Sequence, residues 1–338
     1  MRVLGSAQAL RNVLPEATID FAVAGMASEV VEGHEALNSV LVCNPPRHLI
    51  QWPLVVLRYL RLVRRQGYDV VLDFHGVDWR GALVVLASGA GRRIGFPRWR
   101  CRELSYLFTN VKVPLPSSFM NRVDEFTALM RSIAPEVTPV RAQIALSPQQ
   151  REQALRFWQQ NIHPSRRTVI IHCPVNDLRK RWPLPRFAEL ADRLLSEAKV
   201  NVLLTCGPGQ IGQLNAVLSH MKDASVLTTE ITSIKTLAAF LERADLFVGN
   251  DTGPMHIANA IGTPVVALFT SYFVISHCPY WQPRKVIYYP MHKQRGLVKK
   301  VGEAEGGLYY IDVDTVFNAC IEMLKASPRH SLCKAIAT

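Results

Sequence analysis

The stretch Ala244–Phe269, ADLFVGNDTGPMHIANAIGTPVVALF, fixes the fold class of its neighbourhood. Its spacing predicts a strand over Ala244–Gly249, a tight polar loop, a helix over Met255–Ile261 and a buried strand over Val265–Phe269. Asp251 or Thr252 is placed to cap the helix, and Pro254 suits its first turn. Gly262 reads as the left-handed stop, and Thr263-Pro264 blocks continuation. Backbone amides after Asp251 then point outward at the carboxyl end of a strand, where a helix N-terminus favours an anion. His256 lies within reach of that anion. An ordinary strand-to-helix corner, with a capping Asp and a solvent-facing His, is the plainer alternative for the D-T-G triplet alone.

Working outward, the same alternation repeats on both sides. In the first half, strands are predicted over Ala17–Ala24, Ser39–Cys43, Asp69–Asp73 and from Arg93 to Gly95, with helices over Leu54–Gln66 and Trp79–Ser88. In the second, Val169–Cys173 and Val200–Cys206 read as strands, and Pro185–Ala198 and Ile234–Arg243 as helices. A final helix over Ile311–Leu324 follows a short strand, and the basic tail 327–338 reads as loose. Such alternation implies parallel sheets covered on both faces. Length and pattern give two Rossmann-like domains, 1–150 and 151–326, with Ile144–Ser165 as a bridge between them.

Composition narrows the function. The chain has 338 residues, 49% of them hydrophobic, which is enough for two cores. No apolar run reaches membrane-spanning length; Leu54–Val63 contains arginines. Seven cysteines without CxxC pairs or Cys/His ligand spacing fit reduced thiols in a cytoplasmic protein and indicate no metal site. The formal net charge of +12 favours anionic partners. No nucleic-acid-binding signature accompanies it, and a phosphorylated glycolipid on an anionic membrane explains the charge equally well.

Taken whole, Asp251–Phe269 resembles the donor-site signature of the ADP-heptose:lipopolysaccharide heptosyltransferases, glycosyltransferase family 9. Arg179-Lys180-Arg181-Trp182-Pro183 is similar to that family's lysine motif for the donor phosphates; a solvated basic turn is the alternative. The chain has Pro174-Val175 where many relatives carry Thr, Ser or Gly. The segment Phe269–Trp281 and the lack of a C-terminal cysteine cluster bring it nearer to heptosyltransferase III types. The resemblance implies a GT-B fold, α/β, with two Rossmann-like domains facing across a cleft. It further implies inverting, metal-independent transfer of heptose from ADP-heptose to a lipopolysaccharide core sugar. No cofactor is expected beyond the donor substrate. The partners implied are the ADP-sugar, the phosphorylated acceptor and, peripherally, the anionic inner membrane.

On that basis Lys180 and the amides after Asp251 hold the diphosphate, Asp251 orients the donor sugar and His256 supports the phosphate. Thr252, Gly253 and Met255 line the same corner. Gln210 borders the ribose, and Thr232 the adenine. Arg93, Arg98 and Arg100, in the arginine-rich run 92–102 with Trp99 and Tyr106, are the acceptor candidates, with a solvated face as the alternative. Arg58, Arg61 and Arg65 share a helical face that fits an anionic leaflet or plain solvent.

Gly207-Pro208-Gly209-Gln210-Ile211-Gly212 matches GxGxxG, with Glu230 at dinucleotide spacing. An NAD-dependent oxidoreductase is therefore the first alternative function. A non-catalytic sugar-nucleotide-binding homologue is the second. It arises because ALRNVLPEATIDF is similar to the family's first helix, so the preceding strand and its G-D loop, which carries the proposed base, are not expected in this chain. Asp73, His75 and Asp78 are then the candidates for the base.

Overall fold

A computed structural model describes residues 2–44, 52–74, 79–101, 105–117, 120–223, 225–270, 274–289 and 307–326. His75, Asp78 and the tail 327–338 lie outside the described residues. The chain divides into two compact units, Met1–Ala145 and Leu146–Thr338.

Unit 1 runs α1 (Leu4–Val13), β1 (Asp20–Val23), α2 (Gly25–Val31), β2 (Ser39–Val42), α3 (Trp52–Arg64), β3 (Val70–Leu72), α4 (Trp79–Ala87), β4 (Arg92–Gly95), β5 (Val111–Lys112) and α5 (Arg122–Arg131). Every pairing is parallel, but the strands form two sheets, β1–β2 and β3–β4–β5. The parallel pairing that the alternation predicts is present, and among the described residues it is divided between these two sheets. Among the described residues no strand pairs with both β1 and β3. Their residues are mostly half-buried, as in edge strands. The two sheets are tied by side chains. The Tyr68 hydroxyl donates to Asp20 Oδ2 at 2.6 Å. Ile19, Leu72 and Phe74 pack with Leu10 of α1 and Met130 of α5 in one cluster.

Unit 2 runs α6 (Pro148–Asn161), β6 (Thr168–His172), α7 (Leu184–Ser196), β7 (Asn201–Cys206), α8 (Ile211–Leu218), β8 (Leu227–Glu230), α9 (Ile234–Leu241), β9 (Leu246–Asn250), α10 (Gly253–Ile261), β10 (Val265–Thr270), α11 (Val274–His277), β11 (Arg284–Tyr289) and α12 (Val313–Ala326). Its sheet is wholly parallel, in the order β11-β10-β9-β6-β7-β8. The central strands, VIIH, NVLLTC and LFVGN among them, are buried along their length. Continuous apolar runs of this kind are what a sheet covered on both faces requires. Helix α7 buries Phe187, Ala188, Leu190, Ala191 and Leu194 on one stripe.

The segment read as a bridge begins with a capping box. Ser147 and Gln150 exchange side-chain and backbone bonds at the start of α6. The helix then packs on α9, with Phe157 and Phe240 ring centroids 4.9 Å apart. A 3₁₀ turn over Gly307–Tyr310, rather than a strand, precedes the last helix.

Candidate functional site

The strand order of unit 2 reverses between β6 and β9, the first strand of the unit and the fourth. The crevice at the carboxyl ends of these two strands is a topological switch point, the usual ligand position in a doubly wound sheet. Both motifs singled out in the sequence meet there. After β6, Asp177 accepts from the Arg179 amide at 3.1 Å and starts a 3₁₀ turn over Leu178–Lys180. That turn delivers Lys180. After β9 comes Asp251, nearly buried at 7% exposure. Lys180 Nζ donates to Asp251 Oδ2 at 2.6 Å, and His256 Nε2 lies 3.6 Å from Oδ1. Burial alone would raise the Asp251 pKa; His256 and Lys180 overcome it and hold the carboxyl down at about 2. Asp251 is therefore an anion throughout the neutral range.

Helix α10 starts as the sequence predicts and stops at Gly262, whose φ of 98° is left-handed. Its cap differs from expectation. Thr252 occupies the N-cap position but makes no capping bond, and its hydroxyl donates to the Asn250 carbonyl at 3.3 Å. The Asp251 carboxylate is taken by Lys180 and His256. The first-turn amides thus lack a side-chain cap, and the space where a Gly253 side chain would sit is open. Uncapped amides at the positive end of a helix dipole, beside a lysine, suit a phosphate oxygen. Met255 is fully buried, so only its backbone faces this corner.

Two residues here escaped the sequence reading. Asn250, the last residue of β9, is completely buried. Its Oδ1 accepts from the Trp182 amide at 3.1 Å and its Nδ2 donates to the Cys173 carbonyl at 3.1 Å. In the sequence Asn250 is only a polar residue closing an apolar run, and its role shows once the 173–182 loop is seen folded onto it. His172, the last residue of β6, bonds Thr205 Oγ1 at 3.1 Å, and burial lowers its pKa to about 4.

The GxGxxG loop follows β7, one strand away from the switch point, whereas a dinucleotide fingerprint belongs to the first strand of its unit. Its third glycine, Gly212, lies inside α8. Gln210 folds back onto its own loop, accepting from the Gly207 amide at 3.1 Å and donating to Asn176 Oδ1 at 3.0 Å. The position of this loop removes the sequence basis for an NAD-dependent oxidoreductase. Thr232 is exposed in the loop after β8. Because all strands are parallel, Lys180, Gln210, Thr232 and Asp251 share the carboxyl edge of one sheet. From β9 to β8 is three strand steps, ~14 Å at ~4.8 Å each.

In unit 1 the acceptor candidates separate. Arg93 donates to the carbonyls of Phe108 (3.0 Å) and Ala90 (2.8 Å). Arg100 bonds the buried Glu125 at 3.0 Å, with its guanidinium over the Phe96 ring. Burial raises the Glu125 pKa, against the pull of Arg122. Arg98 and Trp99 are exposed, with Arg98 over the Tyr106 ring. Asp73 is buried, and its amide continues the ladder by donating to the Ile94 carbonyl. No group of metal-ligating side chains occurs among the described residues.

Two α/β units of parallel strands, one with an anion corner at its switch point, define the GT-B class of glycosyltransferase fold. The chain belongs to glycosyltransferase family 9 (heptosyltransferase), which it matches over residues 56–300. It is similar to the lipopolysaccharide core heptosyltransferase OpsX of Haemophilus influenzae, at 26% identity over 229 residues. That match covers 67% of this chain and 63% of the relative, so it spans a little under two thirds of the relative's length. The crystal structure of a family 9 glycosyl transferase from Veillonella parvula superposes with a TM-score of 0.82 at 20% identity, covering 96% of this chain and 93% of that one. E. coli heptosyltransferase WaaC with ADP gives 0.71 at 19% identity, covering 95% and 96%. At these identities the likeness to the solved structures is one of fold.

Proposed function

We propose that the chain transfers heptose from ADP-heptose to a sugar of the lipopolysaccharide core, with inversion and without a covalent intermediate. One observation carries this most directly. Lys180, the uncapped α10 amides and an ionised Asp251 converge at the switch point of unit 2. The bond from the anomeric carbon to the diphosphate oxygen breaks as the bond to the acceptor hydroxyl forms, and ADP leaves with the electron pair. Lys180 and the α10 amides stabilise the charge that grows on the diphosphate. Asp251, a carboxylate held between Lys180 and His256, accepts hydrogen bonds from donor-sugar hydroxyls. The ribose and adenine extend along the sheet edge past Gln210 toward Thr232. The acceptor's proton goes to a base in unit 1, for which Asp73 is the described candidate. The test is a transferase assay with ADP-heptose and a truncated core acceptor. Lys180→Ala should lower turnover by ~10²-fold or more; an unchanged rate would sink this assignment.

The acceptor is a membrane glycolipid, and we propose a cytoplasmic protein that sits peripherally on the anionic inner leaflet. No helix among the described residues is long and apolar enough to cross a membrane. Helix α3 supports a surface seat. It buries Tyr59 and Val63 and exposes Leu57, Arg58, Arg61 and Leu62, with Arg65 exposed just beyond its end. At about 100° per residue the three arginines fall within about 60° of arc, flanked by the two leucines. Such a face offers both lipid contact and phosphate attraction. Sedimentation with phosphatidylglycerol vesicles checks this. Leu57→Ser/Leu62→Ser should lose most binding at physiological salt, and unchanged binding would leave only diffuse charge attraction.

A further inference from the structure

The loop that carries Lys180 leaves β6 at Cys173 and returns to the core at Trp182. Both ends are held by one side chain. Asn250 Oδ1 takes the Trp182 N–H at 3.1 Å, and Asn250 Nδ2 gives to the Cys173 C=O at 3.1 Å. Asn250 immediately precedes Asp251, and Trp182 lies two residues beyond Lys180. The Lys180–Asp251 contact of 2.6 Å is thus bracketed by a buried carboxamide a few covalent bonds away on either side. Trp182 is independently fixed, since its Nε1 donates to the Ile311 carbonyl at 2.9 Å and its ring packs edge-on against Phe187. Gly249 lets the strand come close enough, because a Cβ there would lie 3.0 Å from the His172 carbonyl oxygen and the Phe247 ring. Only a side chain that both donates and accepts, with its two atoms fixed in one plane, closes this clamp; Asp and Leu of similar size each lack a needed group.

We infer that Asn250 is the positioning residue of the donor site. It sets the register of the 173–182 loop against β9, and so places the Lys180 ammonium where the diphosphate binds. The inference rests on Lys180 being a diphosphate ligand. It assigns Asn250 no contact with substrate; its effect on ADP passes through Lys180.

A double-mutant cycle tests this, with ADP titrated calorimetrically into the full chain. Asn250→Ala and Asn250→Ser should each weaken ADP binding about tenfold in the wild-type background. In the Lys180→Ala background the same changes should shift ADP affinity by less than about twofold, because the route through the lysine is gone. Equal weakening in both backgrounds would assign Asn250 to general packing and overturn the proposal. So would undiminished ADP affinity in the wild-type background, or loss of the folded state in both variants. If Lys180→Ala alone binds ADP like wild type, the donor-site assignment of Lys180 fails first, and that result is distinct from an additive cycle.

Discussion

At the scale of single residues the site turns on Asp251. Its carboxyl titrates at about 2 in the folded chain, against an ordinary 3.8. A depressed folded pKa contributes stability above the unfolded pKa, and that contribution is lost as pH falls toward the folded one. The shift corresponds to roughly 2 kcal/mol. Asp251→Asn should therefore be less stable than wild type by a constant amount from pH 7 to about pH 5, and the gap should close as pH approaches 2. Urea unfolding at several pH values measures this; a gap unchanged at low pH would show that the ion pair is not its source. Lys180 and Asp251 were singled out in the sequence through the two motifs that carry the family resemblance, and the structure brings them together. Asn250 was not, because one polar residue in an apolar run says nothing until the loop is seen to fold back on it. Met255 was placed in the same corner by the resemblance, and its side chain is fully buried, which leaves its backbone to face the corner.

Among the elements, α10 shows how local signals decide a boundary. Pro254 in the first turn and Gly262 at the end were readable, and φ of 98° at Gly262 explains the glycine. Gly262→Ala should cost about 1 kcal/mol by thermal or urea unfolding; no cost would mean the backbone relaxes there. Strands β8 and β11 were not assigned from sequence, and both lie at the edges of the sheet. LTTE alternates half-buried and exposed, and RKVIYY opens on two charges, so neither shows the apolar run of a central strand. Strand order was likewise hidden. GxGxxG looked like a dinucleotide loop because periodicity cannot tell whether it follows the first strand of the unit or the second. In unit 1 the half-buried β1 and β3 belong to separate sheets, whereas β6 and β9 are fully buried neighbours. Amide exchange should be orders of magnitude faster in β1 and β3 than in β6 and β9. Comparable protection would contradict the division into two sheets.

For the molecule as a whole, every residue assigned to the donor lies in unit 2 and every acceptor candidate in unit 1. Substitutions should separate accordingly. Arg98→Ala should leave ADP affinity unchanged within about twofold while raising the KM for a phosphorylated acceptor. The arginine run as a class was visible in the sequence, but its division was not. Arg93 and Arg100 are consumed by internal partners, and only the folded chain shows which guanidinium stays exposed. The most direct test of the central claim is calorimetric titration of ADP, with NADH in parallel, into the wild-type chain and Lys180→Ala. ADP should bind wild type in preference to NADH, and Lys180→Ala should weaken it by about tenfold or more. Equal ADP affinity in the two proteins, or selective binding of NADH, would contradict a sugar-nucleotide site at the Lys180–Asp251 corner.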